Sequence, residues 1–540
     1  MLLRTTTNGT RTSAGRRGGF VIVAVLMVVT VLSLAAYQYS ALMDAETLAA
    51  ERIRKTAECK ALADSGIHHA MAHVADPEAF DGVLNSNPFD NPGSFQGVMV
   101  SEGQSARSQG RFSLVSLDYG EPATAGSLPL RYGMTDETGK LNINALYALD
   151  SSGRVLHDAL MKLENMTDEI AWSIIDWIDP DEEPNAGGAE TQYYGTRTPP
   201  YQCKNAPLDS IEELLLVKGV TPSLLFGTDR NRNGRLDPGE DDGSGYMAGW
   251  AAYLTVYSRE RNVDKDGNPR INLNGNDLAT LYTDLTNAVG ANLATFIIGY
   301  RLYGSGSGNS GGGGGGGGKG ANVQFVIVGD IGLLQKQVSQ ALAASTPPKA
   351  RQRVASKFSL VDATVSFQMQ SMGDNGQMQT VTVTVRSPLA DKSQQIDMLA
   401  QLLDKTTTQQ GNELPARVNI NTAPREVLLA LPGMTEATVD AVMAKRPSYA
   451  NGEAPDANFT TIAWLLQDET MTTQQLQSLE RFLTARTQVY RVQSIGYFEE
   501  GGPMARVEAV IDANQGKPRI MYYRDLTDLG RSINPRTLNR

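Results

Sequence analysis

Phe20-Val-Ile-Val-Ala-Val-Leu-Met-Val-Val-Thr-Val-Leu-Ser-Leu-Ala-Ala-Tyr37 follows Arg16-Arg17-Gly18-Gly19, and no charged residue stands between Arg17 and Asp44. An apolar run of this length is enough to cross a bilayer as a helix. Arg4, Arg11, Arg16 and Arg17 precede it with no acidic residue among them, so the positive-inside bias predicts a cytoplasmic N-terminus and an exported remainder. A secretory signal peptide would place small-residue cleavage signals after the apolar run. Here the basic-glycine junction comes before it, and the run passes into Asp44 to Val74, rich in Ala, Leu, Glu, Arg and Lys and free of Pro until Pro77. That composition predicts one helix continuing out of the membrane.

Working outward, 540 residues are too many for one ordinary domain. A net charge of -11 argues against nonspecific binding to nucleic acid and fits an acidic ectodomain. Cys59 and Cys203 lie far apart in the chain; an exported location permits a disulfide between them without requiring one. Pro77 to Pro92 reads as a loop, Arg111 to Tyr119 as a strand, and Leu130 to Thr135 as its partner. An internal repeat follows: Lys140-Leu-Asn-Ile-Asn144, Arg270-Ile-Asn-Leu-Asn274 and Arg417-Val-Asn-Ile-Asn421. Each predicts a short strand whose last Asn caps a following helix.

Helical spacing appears over Val155 to Leu163, Asp168 to Ile178 and Leu208 to Lys218, the last closing at Gly219. Gly304 to Gly320, with eight glycines in a row, reads as a flexible linker and not a phosphate cradle. Beyond it, Val323 to Val328, Phe358 to Gln370 and Met378 to Val385 read as strands, the last two joined by a turn at Gly373 to Gly376. Pro424 to Leu431 and Thr435 to Lys445 form a second helix pair. Arg491 to Gly496, Met504 to Asp512 and Arg519 to Tyr523 read as closing strands, and Leu526 to Arg540 as a loose polar tail. The fold class expected is α+β: a long N-terminal transmembrane helix, an antiparallel sheet, and inserted all-α modules of the helix-hairpin-helix kind. The expected units are a leader 1–19, helix 20–75, first strands 76–140, helical module 141–300, linker 301–322, strand-rich segment 323–410, second helical module 411–488, closing strands 489–525 and tail 526–540.

Three sets of residues invite a functional reading. Asp229-Arg-Asn-Arg-Asn-Gly-Arg-Leu-Asp-Pro-Gly-Glu240 matches a twelve-residue calcium loop. Asp229, Asn231, Asn233, Asp237 and Glu240 supply oxygens at positions one, three, five, nine and twelve, Gly234 turns the loop at six, Arg235 offers its carbonyl and Leu236 anchors it. Asp176, Asp179, Asp181, Glu182, Glu183 and Glu190 form an acidic cluster that could hold a second hard cation. His68, His69 and His73 have helical spacing but lack the Glu of a zinc protease and read as a packed or solvated face. No nucleophile elbow, phosphate loop or other catalytic constellation is present, so no enzyme is expected. Val217-Lys-Gly-Val220 and Leu431-Pro-Gly-Met434 resemble halves of DNA-binding hairpins, without the surrounding basic residues that phosphate contact requires.

The basic leader ending in Gly, the aromatic residue after it and the extended apolar helix resemble the class III leaders of type IV pilins and pseudopilins. That resemblance implies cleavage between Gly19 and Phe20 by a prepilin peptidase, with methylation of the new N-terminus. Most such subunits have Glu at the fifth mature position, where this chain has Ala24. That departure, with Thr135 to Asn144, Asp176-Trp-Ile-Asp-Pro-Asp181 and Glu212 to Gly219, resembles the protein K family of type II secretion, large minor pseudopilins proposed to cap the filament tip. It implies a pilin-like sheet interrupted by a calcium-holding helical domain. It also implies a single pass through the bacterial inner membrane with a large periplasmic domain, and partners among the major and other minor pseudopilins. A minor pilin of a type IV pilus, in adhesion or DNA uptake, is the alternative.

Overall fold

The computed structural model describes residues 9, 18–103, 108–119, 127–240, 243, 247–304, 326–344, 349–372, 378–499, 501–514, 516–530 and 538. The helix Gly18–Ala75 runs for 58 residues, about 87 Å at 1.5 Å per residue. Its first part is bare: every residue from Phe20 to Arg54 is exposed. The mean hydropathy reaches 2.7 there, so this helix is long and apolar enough to cross a membrane. Lys55–Glu51 and Arg54–Glu58 ion pairs mark where its surface turns polar.

From Cys59 onward the same helix packs on protein. Cys59, Ala63, Ile67 and Ala70 share one face and are buried, in a core with Phe112, Leu114, Val492 and Val507. The sheet under them runs Val98–Ser101, Gly110–Leu117, Val489–Phe498, Met504–Asp512, Arg519–Asp525, all neighbours antiparallel. Its two halves are separated by the whole helical region, yet Phe112 sits opposite Gly496. That glycine is required by contact: a Cβ on Gly496 would lie 2.1 Å from the Cys59 carbonyl oxygen and 2.5 Å from the Ala63 nitrogen. Because both are helix backbone, Gly496→Ala should lift the helix from the sheet and cost about 3 kcal/mol. Gly82→Ala, with nothing within 4 Å of the new atom, should change stability little. Equal urea midpoints for the two variants would refute this account of the interface.

Several expectations change on contact with tertiary structure. Leu130 to Thr135 does not pair as a unit: Leu130–Arg131 joins Gly110–Leu117, while Thr135–Asp136 crosses to Val489–Phe498. The chain bends between them where the Met134 amide donates to the Pro88 carbonyl at 2.8 Å. The Pro77 to Pro92 loop contains the helix Pro77–Gly82 and leads into Pro92–Phe95, capped by Asp76 and Asn91 with Pro at the first turn of each. The tail is not wholly loose, since Leu538 is buried with Val115, Ile495 and Tyr497. Val326–Val328, Thr364–Met372 and Met378–Arg386 make a three-stranded sheet of their own, apart from the closing sheet. The glycine run, the turn at Gly373 to Gly376 and all of the leader before Gly18 except Gly9 lie outside the described residues.

The repeated junctions have a common structural role. Leu141–Asn142 pairs in parallel with Leu254–Thr255, Ile271–Asn272 with Thr406–Thr407, and Val418–Asn419 with Leu483–Thr484. Each repeat thus opens a module that a two-residue bridge closes; the first and third are helical, and the second also holds the three-stranded sheet. The capping expectation is corrected: in the first repeat it is the first Asn that caps, as Asn142 accepts from the Ala145 amide at 3.0 Å, while Asn272 and Asn419 accept from the amides of Asn274 and Asn421. The last Asn clamps a distant peptide. Asn144 donates to the Leu208 carbonyl at 2.9 Å and accepts from its amide at 3.0 Å, and Asn274 treats Val354 in the same way at 3.0 and 2.9 Å. Asn421 donates to the Phe459 carbonyl at 2.8 Å. A side-chain amide carries the donor and acceptor that a buried peptide needs, so Asn serves where an apolar residue would leave both unsatisfied.

Candidate metal centres

Both acidic groups lie on the first helical module. In the loop from Asp229 to Glu240, Asp229 is buried and accepts from the amides of Asn233 and Gly234 at 3.1 and 2.7 Å. The Asn233 side-chain oxygen accepts from the Arg235 amide at 2.7 Å. Glu240 folds back to accept from the amides of Asn231 and Asp237 at 3.3 and 3.2 Å. Asp237 accepts from the side-chain amides of Asn231 and Asn233 at 2.8 and 2.9 Å. Gly234 turns the loop with φ +76°. Asn231 Oδ1 is buried with no hydrogen-bond partner. The oxygen-bearing side chains expected at positions one, three, five, nine and twelve therefore form one ring of contacts, and Leu236 is only half-buried. Burial raises the Asp229 carboxyl above its usual range. The loop is fastened to the sheet, since Arg506 donates to the Arg232 carbonyl at 3.3 Å and the Leu128 amide to the Gly234 carbonyl at 2.7 Å.

The second cluster divides. Asp176 sits in the last turn of Asp168–Ile178, Asp179 follows that helix as its C-cap, and Glu190 precedes Thr191–Tyr194. All three are buried, with one oxygen from each lying within 4.8 Å of the others. Asp176 is satisfied by the Asn185 amide and side chain at 3.2 and 2.8 Å and the Ala189 amide at 2.7 Å. Asp179 Oδ1 and both Glu190 oxygens have no partner. Burial and then the charge of neighbouring carboxylates push Asp179 up to about 7; for Glu190 burial does most to raise it to about 7. Asp181, Glu182 and Glu183 stay at the surface, where Asp181 accepts from the Glu183 amide and Glu182 from Thr191. Sequence reading missed Asn185 and Gly188. A Cβ on Gly188 would stand 1.9 Å from an Asp176 oxygen, and the Gly187-Gly188 pair was the available signal. Three carboxylates suit a hard cation such as calcium better than zinc.

The remaining candidates fall to packing. His69 and His73 face each other at 3.1 Å beneath Phe95 and Phe112, and burial lowers both. Cys59 and Cys203 are free; Cys59 Sγ donates to the Pro503 carbonyl and Cys203 Sγ to that of Asp176. The two hairpins turn on Gly219 and Gly433, at φ +83° and +76°. Lys218 donates to the Gly187 and Gly188 carbonyls, and Lys445 to Thr470, so both ammonium groups are engaged within the chain.

Residues 139–226 match the family model "Type II secretion system (T2SS), protein K". Type II secretion system protein K of Klebsiella pneumoniae is 31% identical over 102 residues, 17% of this chain and 31% of that protein. An Escherichia coli K12 protein bearing the type II secretion system protein K name is 43% identical over 58 residues, 11% of this chain and 18% of that protein. These alignments thus span a third or less of either relative's length. The crystal structure of the GspK-GspI-GspJ complex from the enterotoxigenic Escherichia coli type 2 secretion system aligns over 89% of this chain and 98% of that one, with a TM-score of 0.35 and 10% identity. Over residues 139–226, most of its first helical module, this chain is similar to type II secretion system protein K.

Proposed function

We propose that this protein is a minor pseudopilin of a type II secretion system, a structural and non-enzymatic subunit at the filament tip that nucleates the pseudopilus for export across the outer membrane. The observation that carries the reading is the protein K match over residues 139–226. In this reading prepilin peptidase cuts between Gly19 and Phe20, the new N-terminus is methylated, and the exposed face of Phe20 to Arg54 packs against the helices of the major and other minor pseudopilins. The chain passes once through the inner membrane with its N-terminus in the cytoplasm. In this reading the ectodomain caps the fibre and does not repeat along it, and Ala24 stands where repeating subunits have Glu. A DNA-uptake pilin would want free basic groups at the hairpins, and the engagement of Lys218 and Lys445 disfavours it. Intact mass and N-terminal sequence of the membrane-extracted protein test the reading: a start at Phe20 with one added methyl group supports it, and a start at Met1 sinks it.

Calcium completes the proposal, held by Asp229, Asn231, Asn233, Asp237, Glu240 and the Arg235 carbonyl in one site and by Asp176, Asp179 and Glu190 in the other. Extracellular loops of this kind bind at roughly 0.1 to 1 mM, so 10 mM calcium should stabilise by about 1.4 to 2.7 kcal/mol per site. Thermal melts in calcium against chelator should show that gain, with Asp229→Asn and Glu190→Gln each removing a part. Identical melts in calcium, magnesium and chelator would end the calcium assignment.

A further inference from the structure

A cavity of about 450 Å³ opens between the module of Ile271 to Thr407 and that of Val418 to Thr484. In a chain of net charge -11, it is lined by Arg270, Arg353, Lys357, Arg417 and Arg481. These cations fall into two groups. The side chains of the inner three are largely buried and committed. Arg417 Nε donates to Glu260 at 2.8 Å, and Arg270 stands 3.5 Å from the same carboxylate. Lys357 lies 3.5 Å from Glu480 and donates to the Thr406 carbonyl at 3.2 Å. They hold the seam, and the lining sets five cations against one carboxylate, Glu480, with Glu260, Asp404 and Arg486 acting on Arg270 from behind it.

The outer two have no such duty. Arg353 and Arg481 are exposed, and neither guanidinium makes a hydrogen bond or ion pair among the described residues. Arg481 rests over the Phe482 ring at 4.7 Å, and its charge reaches Asp150. Arg353 lies near the like charge of Arg301. Two exposed guanidinium forks thus join a cavity lining that already holds three largely buried cations, with Gln409 and Gln477 also in the lining. A guanidinium matches a carboxylate through two parallel hydrogen bonds, and a cavity of this volume is of small-ligand size, larger than one oxyanion fills.

We propose that this cavity binds clustered carboxylates, presented by a free polycarboxylate or by an acidic stretch of polypeptide. The seam occupies the inner cations and leaves the outer pair able to engage a ligand. The test uses the full-length chain in detergent at fixed free calcium, titrated calorimetrically with tricarballylate, with a hexaglutamate peptide and with sulfate. At low salt, at least one carboxylate probe should bind below about 1 mM, weaken in roughly 0.3 M salt, and bind at least about tenfold more weakly to Arg353→Gln/Arg481→Gln. Which probe binds identifies the source of the carboxylates. The double substitution removes no seam contact, so its melting temperature should match the parent chain. Failure of both carboxylate probes, unchanged binding by the double variant, or sulfate binding as tightly as either probe would overturn the proposal.

Discussion

A Gly19→Arg chain should accumulate in the membrane at full length, unmethylated, and fail to support secretion. The substitution adds a positive charge on the side already carrying Arg16 and Arg17, so the positive-inside bias is strengthened and insertion is preserved. What it removes is the small residue before the cleaved bond. In the proposed reading the peptidase must admit that residue, and an arginine side chain there fills space that glycine leaves empty. The leader then stays attached to the helix Gly18–Ala75, and its charged residues remain at the cytoplasmic face. Held there, the helix cannot leave the bilayer with its neighbours, because drawing several arginines through hydrocarbon costs about 2.5 to 3.5 kcal/mol each by insertion scales. The expected effect is close to complete loss of export, read by blotting the membrane fraction and assaying an exported protein. Normal export by a chain shown by mass to retain Met1 would contradict the pseudopilin assignment, whereas normal cleavage of the variant would relocate the processing site.

The elements written into local sequence were legible. The apolar run from Phe20, the calcium-type loop from Asp229 and the closing strands near Arg491 each declare themselves within a few residues, through hydropathy, side-chain oxygens at fixed spacing, or alternation. The illegible parts depend on partners far away. Asn144, Asn274 and Asn421 looked like helix caps because Asn beside a helix start usually is one. Their actual partners, the peptides of Leu208, Val354 and Phe459, lie 64, 80 and 38 residues downstream. The acidic stretch from Asp176 to Glu190 offered six candidates of equal chemistry. Only burial distinguishes Asp176, Asp179 and Glu190 from the exposed three, and burial is a property of the packed module. The three-stranded sheet from Val326–Val328 to Met378–Arg386 could not be assigned to a neighbour for the same reason, since strands advertise their pairing edges and not their partners.

Breaking the Glu137 network should cost the most stability of any single polar change. Glu137 is wholly buried where the first module leaves the sheet. It meets Arg491 through two bonds, from Nε at 2.9 Å and Nη2 at 2.7 Å, and accepts from Thr255 at 2.6 Å. Arg491 also reaches Glu508 at 2.8 Å, and Lys140 lies 3.7 Å from Glu137. The network therefore joins two of the three closing strands, Val489–Phe498 and Met504–Asp512, to the opening and closing bridges of the module. Burial alone would raise the Glu137 carboxyl, but Arg491 and then Lys140 outweigh it and hold it down to about 2. With Glu137→Gln, Arg491 keeps one partner where it had two, and Lys140 loses the charge that offsets its burial. Removing one member of such a pair costs about 3 to 5 kcal/mol, because the remaining charge stays buried. The pH dependence carries a sign of its own: a carboxyl at about 2 when folded and at its ordinary 4.5 when unfolded stabilises fully above 4.5. That contribution is lost as pH falls toward 2. Urea midpoints of the parent chain should drop across that window more steeply than those of Glu137→Gln. Adding Arg491→Gln should recover part of the loss, since the uncompensated cation is then gone. A single variant within about 0.5 kcal/mol of the parent, or pH profiles that run parallel between 4.5 and 2, would show that the junction between sheet and module rests on apolar packing and not on this ion pair.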